Sequence, residues 1–320
     1  MNTFFNKPVG LFFGIFLTVM VAAYVFSNLN TPQRLPQRVD EIEAELSAHI
    51  TITDINGSML MQTGLPVYVE DEFINEDNVH YKVINITGKK ATAEIKSKQN
   101  SIQTSPGSNP VLPAVAAASK TDFFSIPARP KNVVIYHTHT DESYVPTSGT
   151  ASAKTDGDII QVGKALKDAL SKANIQAVHN TETHIPHDIN AYHRSRKTLV
   201  KVLKKGPDAV FDIHRDATPA SAYHTTINGV DTAKVMMVVG RSNPLMQTNL
   251  GYAKRIKEVA DKAHPGLIRG IFIGRGDYNQ DLYPSALLFE IGSHNSSLVM
   301  AQRGARSLAD AIITAFAETE

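Results

Sequence analysis

The sequence predicts an α/β fold, a mostly parallel sheet with helices on both faces, preceded by an N-terminal transmembrane helix and a small β-rich module. Three observations carry this. From Lys131 onward, short runs rich in β-branched residues alternate with amphipathic stretches at helical spacing, the pattern of right-handed crossovers in a parallel sheet. From Pro8 to Ser27 the chain is apolar and carries no charge, long enough to cross roughly 30 Å of hydrocarbon as a helix. Between these regions, residues 97–130 are dense in Ser, Pro, Ala and Gln, a flexible-linker composition. Four segments follow: an anchor at 1–30, a β-rich module at 39–96, a linker at 97–130 and the main domain at 131–320.

In chain order, Lys7 before the apolar run also suits a cleaved signal peptide, but the run is long and lacks a small-x-small site at its end, which favours an uncleaved anchor. Asn30 to Gln37 holds two prolines and reads as a juxtamembrane stretch, and Val39 to Leu46 as a short acidic helix. Ile50 to Ile55 alternates and runs into Asn56-Gly57, a hairpin-type turn. Tyr81 to Ile86 and Ala91 to Ile95 flank Thr87-Gly88-Lys89-Lys90 as a second hairpin. Nothing in this module assembles a catalytic set, so it reads as an accessory or spacer. In the main domain the order is strand Val133–Tyr136, helix Ile159–Ala173, strand Ile175–Val178, helix Ala191–Lys205 and strand Ala209–Ile213. A turn at Ile227-Asn228-Gly229-Val230 leads back into Lys234–Val239; helix Pro244–Ala263, strand Leu287–Ile291 and helix Leu298–Phe316 complete the domain.

The net charge is +1 and there are no cysteines. No basic run points to nucleic acid, and neither a disulfide framework nor a thiolate metal site is available, so any metal must be held by His, Asp or Glu.

Three strand ends carry that chemistry. Val133-Val134-Ile135-Tyr136 opens into His137-Thr138-His139-Thr140-Asp141-Glu142, and the carboxyl ends of strands are where α/β enzymes collect ligands. The H-x-x-E pair His139 and Glu142 supplies two ordinary zinc ligands. Ala209 to Ile213 ends in His214, a candidate third, followed by Arg215 and Asp216, which either orient the ligands, meet a substrate carboxylate or form a structural salt bridge. Leu287 to Ile291 carries Glu290 between apolar neighbours, where partial desolvation would raise its pKa toward that of a general base. His184-Ile185-Pro186-His187-Asp188 has no matching third ligand and reads as a polar surface loop. Arg194, Arg196, Lys197, Lys201, Lys204 and Lys205 read as a solvated helix face.

The segments His137-Thr138-His139 with Glu142-Ser143-Tyr144, Asp212-Ile213-His214-Arg215-Asp216-Ala217 and Phe289-Glu290-Ile291-Gly292-Ser293 resemble the signature of the stage II sporulation protein P family. The resemblance covers about Lys131 to Ala317. It implies a membrane-anchored, zinc-dependent peptidoglycan hydrolase related to the N-acetylmuramoyl-L-alanine amidases, cutting the lactyl-amide bond to L-Ala with stem-peptide cross-links as a second target. It implies zinc held by His139, Glu142 and His214, with Glu290 as catalytic acid/base. His139 is preferred over His137 because its spacing to Glu142 matches the H-x-x-E of zinc peptidases; His137 is left behind it or as an alternative ligand. A single-pass cell-membrane location with the domain outside, and stage II sporulation proteins D and M as partners, come from the same resemblance. A membrane-tethered wall-binding or assembly protein without catalysis is the rival.

Overall fold

The computed structural model describes residues 49–98, 131–188 and 190–318. The anchor expected at 8–27, the stretch from Asn30 to Leu46 and linker residues 99–130 lie outside them. Among the described residues no helix is long and apolar enough to cross a membrane.

Five strands come from the N-terminal segment: β1 (Ile50–Asp54), β2 (Met59–Thr63), β3 (Glu72–Asn75), β4 (Val79–Thr87) and β5 (Lys90–Lys98). The main domain adds β6 (Asn132–Tyr136), helix α1 (Ile159–Lys172), β7 (Gln176–His179), α2 (Ala191–Leu203) and β8 (Ala209–Asp216). Then come a hairpin of β9 (His224–Ile227) and β10 (Val230–Ala233), β11 (Val235–Gly240), α3 (Met246–Ala263), β12 (Ile268–Gly274), β13 (Ala286–Ser293) and α4 (Leu298–Ala317). Strands β2, β3, β9, β10 and β12 are additions to the sequence expectation; all but β12 are short, and the apolar run of β12 is broken in sequence by Arg269 and Gly270.

The sheet runs β2-β1-β5-β4-β3-β12-β11-β13-β8-β6-β7. Strands β13, β8, β6 and β7 are mutually parallel and every residue of β8 and β13 is buried, which is why they read as continuous apolar runs. The whole sheet is mixed rather than mostly parallel, because β11 is antiparallel to β13 and β3 to β12. The cause is the connection: β8 reaches β11 through the β9–β10 hairpin, not through a helix, and such a link lets the chain return antiparallel.

Helices cover both faces, as alternation predicts. Against α1, α3 and α4 lie Val133, Ile135, Phe211, Ile213, Val235, Met237, Phe289 and Ile291. The opposite face is shared. Val134, Tyr136 and Val210 pack on Leu199 of α2, while Met236, Val238 and Leu288 pack on Ile52, Met61, Leu65, Val67, Phe73 and Val83. The segment expected as a spacer module thus extends the main sheet through β3 and buries its apolar side on the face that also carries residues 212, 214 and 290, which alternate with the α1 face.

Candidate active site

Parallel register sets the site. β6 delivers the loop His137–Tyr144, β8 delivers Asp212 and His214, and Glu290 on β13 stands opposite His214. Every residue of that loop is buried, His139 to 5% and Glu142 to 1% exposure. The neighbouring chain holds it there: Ala153 N donates to Asp141 O at 2.7 Å, Gly157 N to Thr140 O at 2.7 Å and Ile159 N to Glu142 O at 3.0 Å. Gly157 is needed for this approach, since a Cβ there would sit 2.1 Å from Glu142 O.

Ligand-type atoms of His139, Glu142 and His214 all lie within 4.8 Å of one another. Nδ1 of His139 is 3.3 Å, and Nδ1 of His214 3.2 Å, from Glu142 Oε1. A tetrahedral zinc with bonds of about 2.0–2.2 Å has ligand-to-ligand edges of about 3.3–3.6 Å, so these separations and this N/O donor set fit zinc. Glu142 Oε2 accepts from the Arg215 backbone N–H at 3.0 Å, which fixes the carboxylate.

The charges are arranged around the same point. Burial opposes ionisation of Glu142, but His214 and Arg215 outweigh it and hold its pKa well below the usual range. Burial likewise opposes the His214 imidazolium, yet Asp212 and Glu142 hold its pKa well above the ordinary value. His139 is lowered, by burial and by His187. Without metal, a protonated His214 is the cation that satisfies the two carboxylates.

Other residues divide between the site and its supports. His137 is turned away from the cluster: its Nδ1 donates to Ile213 O at 2.9 Å and its Nε2 meets His179 Nε2 at 2.8 Å, against Gly163 of α1. Burial and His179 push its pKa down to about 3, so it is neutral and fully engaged. Arg215 is 1% exposed; its backbone N–H holds Glu142, its Nη2 donates to Ala151 O of the chain beside the loop at 3.2 Å, and it is not one of the residues lining the cavity. Glu290 is 3% exposed and lines the same cavity as His139, Glu142 and His214.

Four features escaped the sequence. Asp212 Oδ1 approaches His214 Nε2, and its strand spacing of two from His214 was the signal for it. His187, expected on a surface loop, stacks on His139 with ring centroids 3.7 Å apart and pairs with Asp141 at 3.2 Å; His184 in that loop is buried, donates from Nδ1 to His137 O at 2.7 Å and is hydrogen-bonded through Nε2 to Thr198 Oγ1 at 2.9 Å. Arg196, expected on a solvated face, makes a two-pronged ion pair with Asp281. Leu65, Pro66, Tyr192 and Tyr278 form the cavity walls, and two of these come from the segment read as a spacer.

The chain is similar to stage II sporulation protein P from Bacillus subtilis (strain 168), 32% identical over 200 residues, 56% of this chain and 50% of that protein, so it spans about half the length of the curated relative it matches. Among solved structures, the chain is similar to the CwlD amidase from Clostridioides difficile in complex with the GerS lipoprotein (13% identity, 59% of this chain and 99% of that one, TM-score 0.42). It is also similar to the N-acetylmuramoyl-L-alanine amidase from Clostridium difficile 630 (17% identity, 59% and 96%, TM-score 0.38). The family model described as stage II sporulation protein P matches residues 44–313, and with that span of matched sequence the chain belongs to the stage II sporulation protein P family.

Proposed function

We propose that this protein is a zinc-dependent peptidoglycan hydrolase that cleaves the N-acetylmuramoyl-L-alanine amide bond, with stem-peptide cross-links as a second target. The observation that carries the reading is the convergence of His139, Glu142 and His214 on one buried point beside Glu290. Three protein ligands are the catalytic pattern, whereas structural zinc is closed by four. Zinc bound there supplies a Lewis acid and lowers the pKa of water. The chain's own residues do the rest. Glu290 takes the proton of the attacking water on its carboxylate and returns it to the leaving amine, with no covalent enzyme intermediate. Arg215 N holds Glu142, and Asp212 stands behind His214.

The bond and the polymer come from family membership. The same reading puts the domain outside the cell on a single-pass anchor at residues 8–27 and gives stage II sporulation proteins D and M as partners. Mass spectrometry of digested sacculi tests the bond. The expected product is a new α-amino group on L-Ala with release of whole stem peptides, blocked by chelator and restored by Zn²⁺. Stems left on their sugars would indicate an endopeptidase, and released acetate a deacetylase. Intact sacculi with a zinc-loaded enzyme would point to a tethered binding protein.

A further inference from the structure

Between β2 and β3 the chain crosses the candidate site as a strap, residues 64–71. Its near end is fastened to β8. Gly64 N donates to Asp216 Oδ1 at 2.7 Å and Thr63 Oγ1 donates to the same oxygen at 3.3 Å, while Tyr223 OH and Ala217 N hold that carboxylate from other sides. Gly64 is needed here, because a Cβ would lie 2.5 Å from Ala217 Cβ. Its far end is fastened by two arginines from the loops after β11 and β12. Arg241 Nε donates to Asp71 Oδ1 at 2.9 Å and Nη2 to Val69 O at 3.2 Å; the Arg275 guanidinium lies 4.9 Å from the centre of the Tyr68 ring.

What the strap covers is the site itself. Leu65 and Pro66 line one cavity with His139, Glu142, Tyr192, His214, Tyr278 and Glu290, and the room in it is about 10 Å³. That admits about one water molecule. An amide carried on a glycan strand is many times larger.

We propose that Leu65 and Pro66 determine which substrates reach the site, and that the strap must lift at its arginine-held end before a polymer-borne amide can enter. Asp71 is as buried as Asp216, and Glu70 and Asp71 pair with Val83 of β4, so residues 70–71 stay with the sheet. The part that can lift is 65–69, held by Arg241 on Val69 O and Arg275 on the Tyr68 ring, and the Arg241 side chain is 28% exposed and open to competition from water. The substrate in this statement rests on the amide-hydrolase reading; the closed strap does not.

The chain has no cysteine, so Leu65→Cys in the full chain is a sole thiol and reports the strap directly. In the parent background it should react slowly with a maleimide, and adding Arg241→Gln should speed labelling on the order of ten-fold or more, the effect of losing hydrogen bonds from a charged group. Arg275→Gln serves as an independent second variant, and Arg241→Lys should restore part of the slow labelling. Chelator extraction of zinc should accelerate in the same order, and sacculus hydrolysis by Arg241→Gln without the cysteine should rise several-fold. Labelling at the rate of a free thiol in the parent background, or no change with either glutamine variant, would overturn the strap. If sacculi resist every variant while labelling follows the expected order, the amide-hydrolase reading falls and the strap stands.

Discussion

Asp212 Oδ1 lies 3.0 Å from Nε2 of His214, across the imidazole from the Nδ1 that faces Glu142. The same carboxylate accepts from Thr138 N at 2.8 Å and Thr138 Oγ1 at 2.6 Å, so its orientation is set independently of the histidine. A carboxylate behind a metal-binding histidine fixes the ring and raises its basicity. Asp212→Asn should therefore weaken zinc binding by about 10–100-fold in a protein that still folds. Competition with a chelator of known affinity measures this, and an unchanged affinity would remove Asp212 from the site.

His214→Ala or Glu142→Ala should abolish zinc binding, since each removes one of three ligands whose atoms lie within 4.8 Å. Metal analysis of the purified variants decides it; full occupancy in both would dissolve the ligand set.

Zinc binding should strengthen as pH rises. His214 is held protonated by Asp212 and Glu142, and the ligating form is neutral, so binding must release that proton. Below its raised pKa, affinity should gain up to about ten-fold per pH unit. Calorimetry in buffers of different ionisation enthalpy counts the protons. For the metal-free protein the sign reverses: a raised histidine pKa contributes stability that is present at low pH and lost as pH climbs through it, while depressed Glu142 contributes stability lost as pH falls through its own pKa.

Glu290→Gln should retain zinc and lose turnover by about 10²–10⁴-fold, because the amide keeps the shape but cannot take a proton. Near-normal turnover per folded molecule would instead make Glu290 structural.

Asp71 titrates in the strap with its pKa pushed up to about 6 by burial, against the opposing pull of Arg241. A carboxyl whose folded pKa exceeds its unfolded value destabilises the fold as it ionises, so stability should decline as pH rises from about 4 to about 6. Asp71→Asn should flatten that window, a difference on the order of 3 kcal/mol at neutral pH. Denaturant melts of both proteins across the window measure it.

Much of the candidate site was legible in the sequence because each candidate residue lies in, or just beyond, a strand whose apolar run announces it. Val133–Tyr136, Ala209–Ile213 and Leu287–Ile291 are buried on both sides, so they are apolar except at Asp212 and Glu290, the two positions inside the runs that carry a carboxylate. Local pattern therefore determined which residues were candidates: His139, Glu142, His214 and Glu290 are all in one cavity. It did not determine which side chain faces that cavity. His137 takes the place behind His139 that its alternative reading gave it, bonded back to Ile213 O, and Arg215 the ligand-orienting one of its three readings, with its backbone N–H on Glu142 and its guanidinium on Ala151 O. Register across the sheet decided that, and register depends on strands far apart in the chain. The same holds for Leu65 and Pro66. Nothing in Thr63-Gly64-Leu65-Pro66 signals a catalytic wall, because what makes it one is the pairing of β3 with β12, two strands nearly two hundred residues apart, which brings the strap across the end of β8.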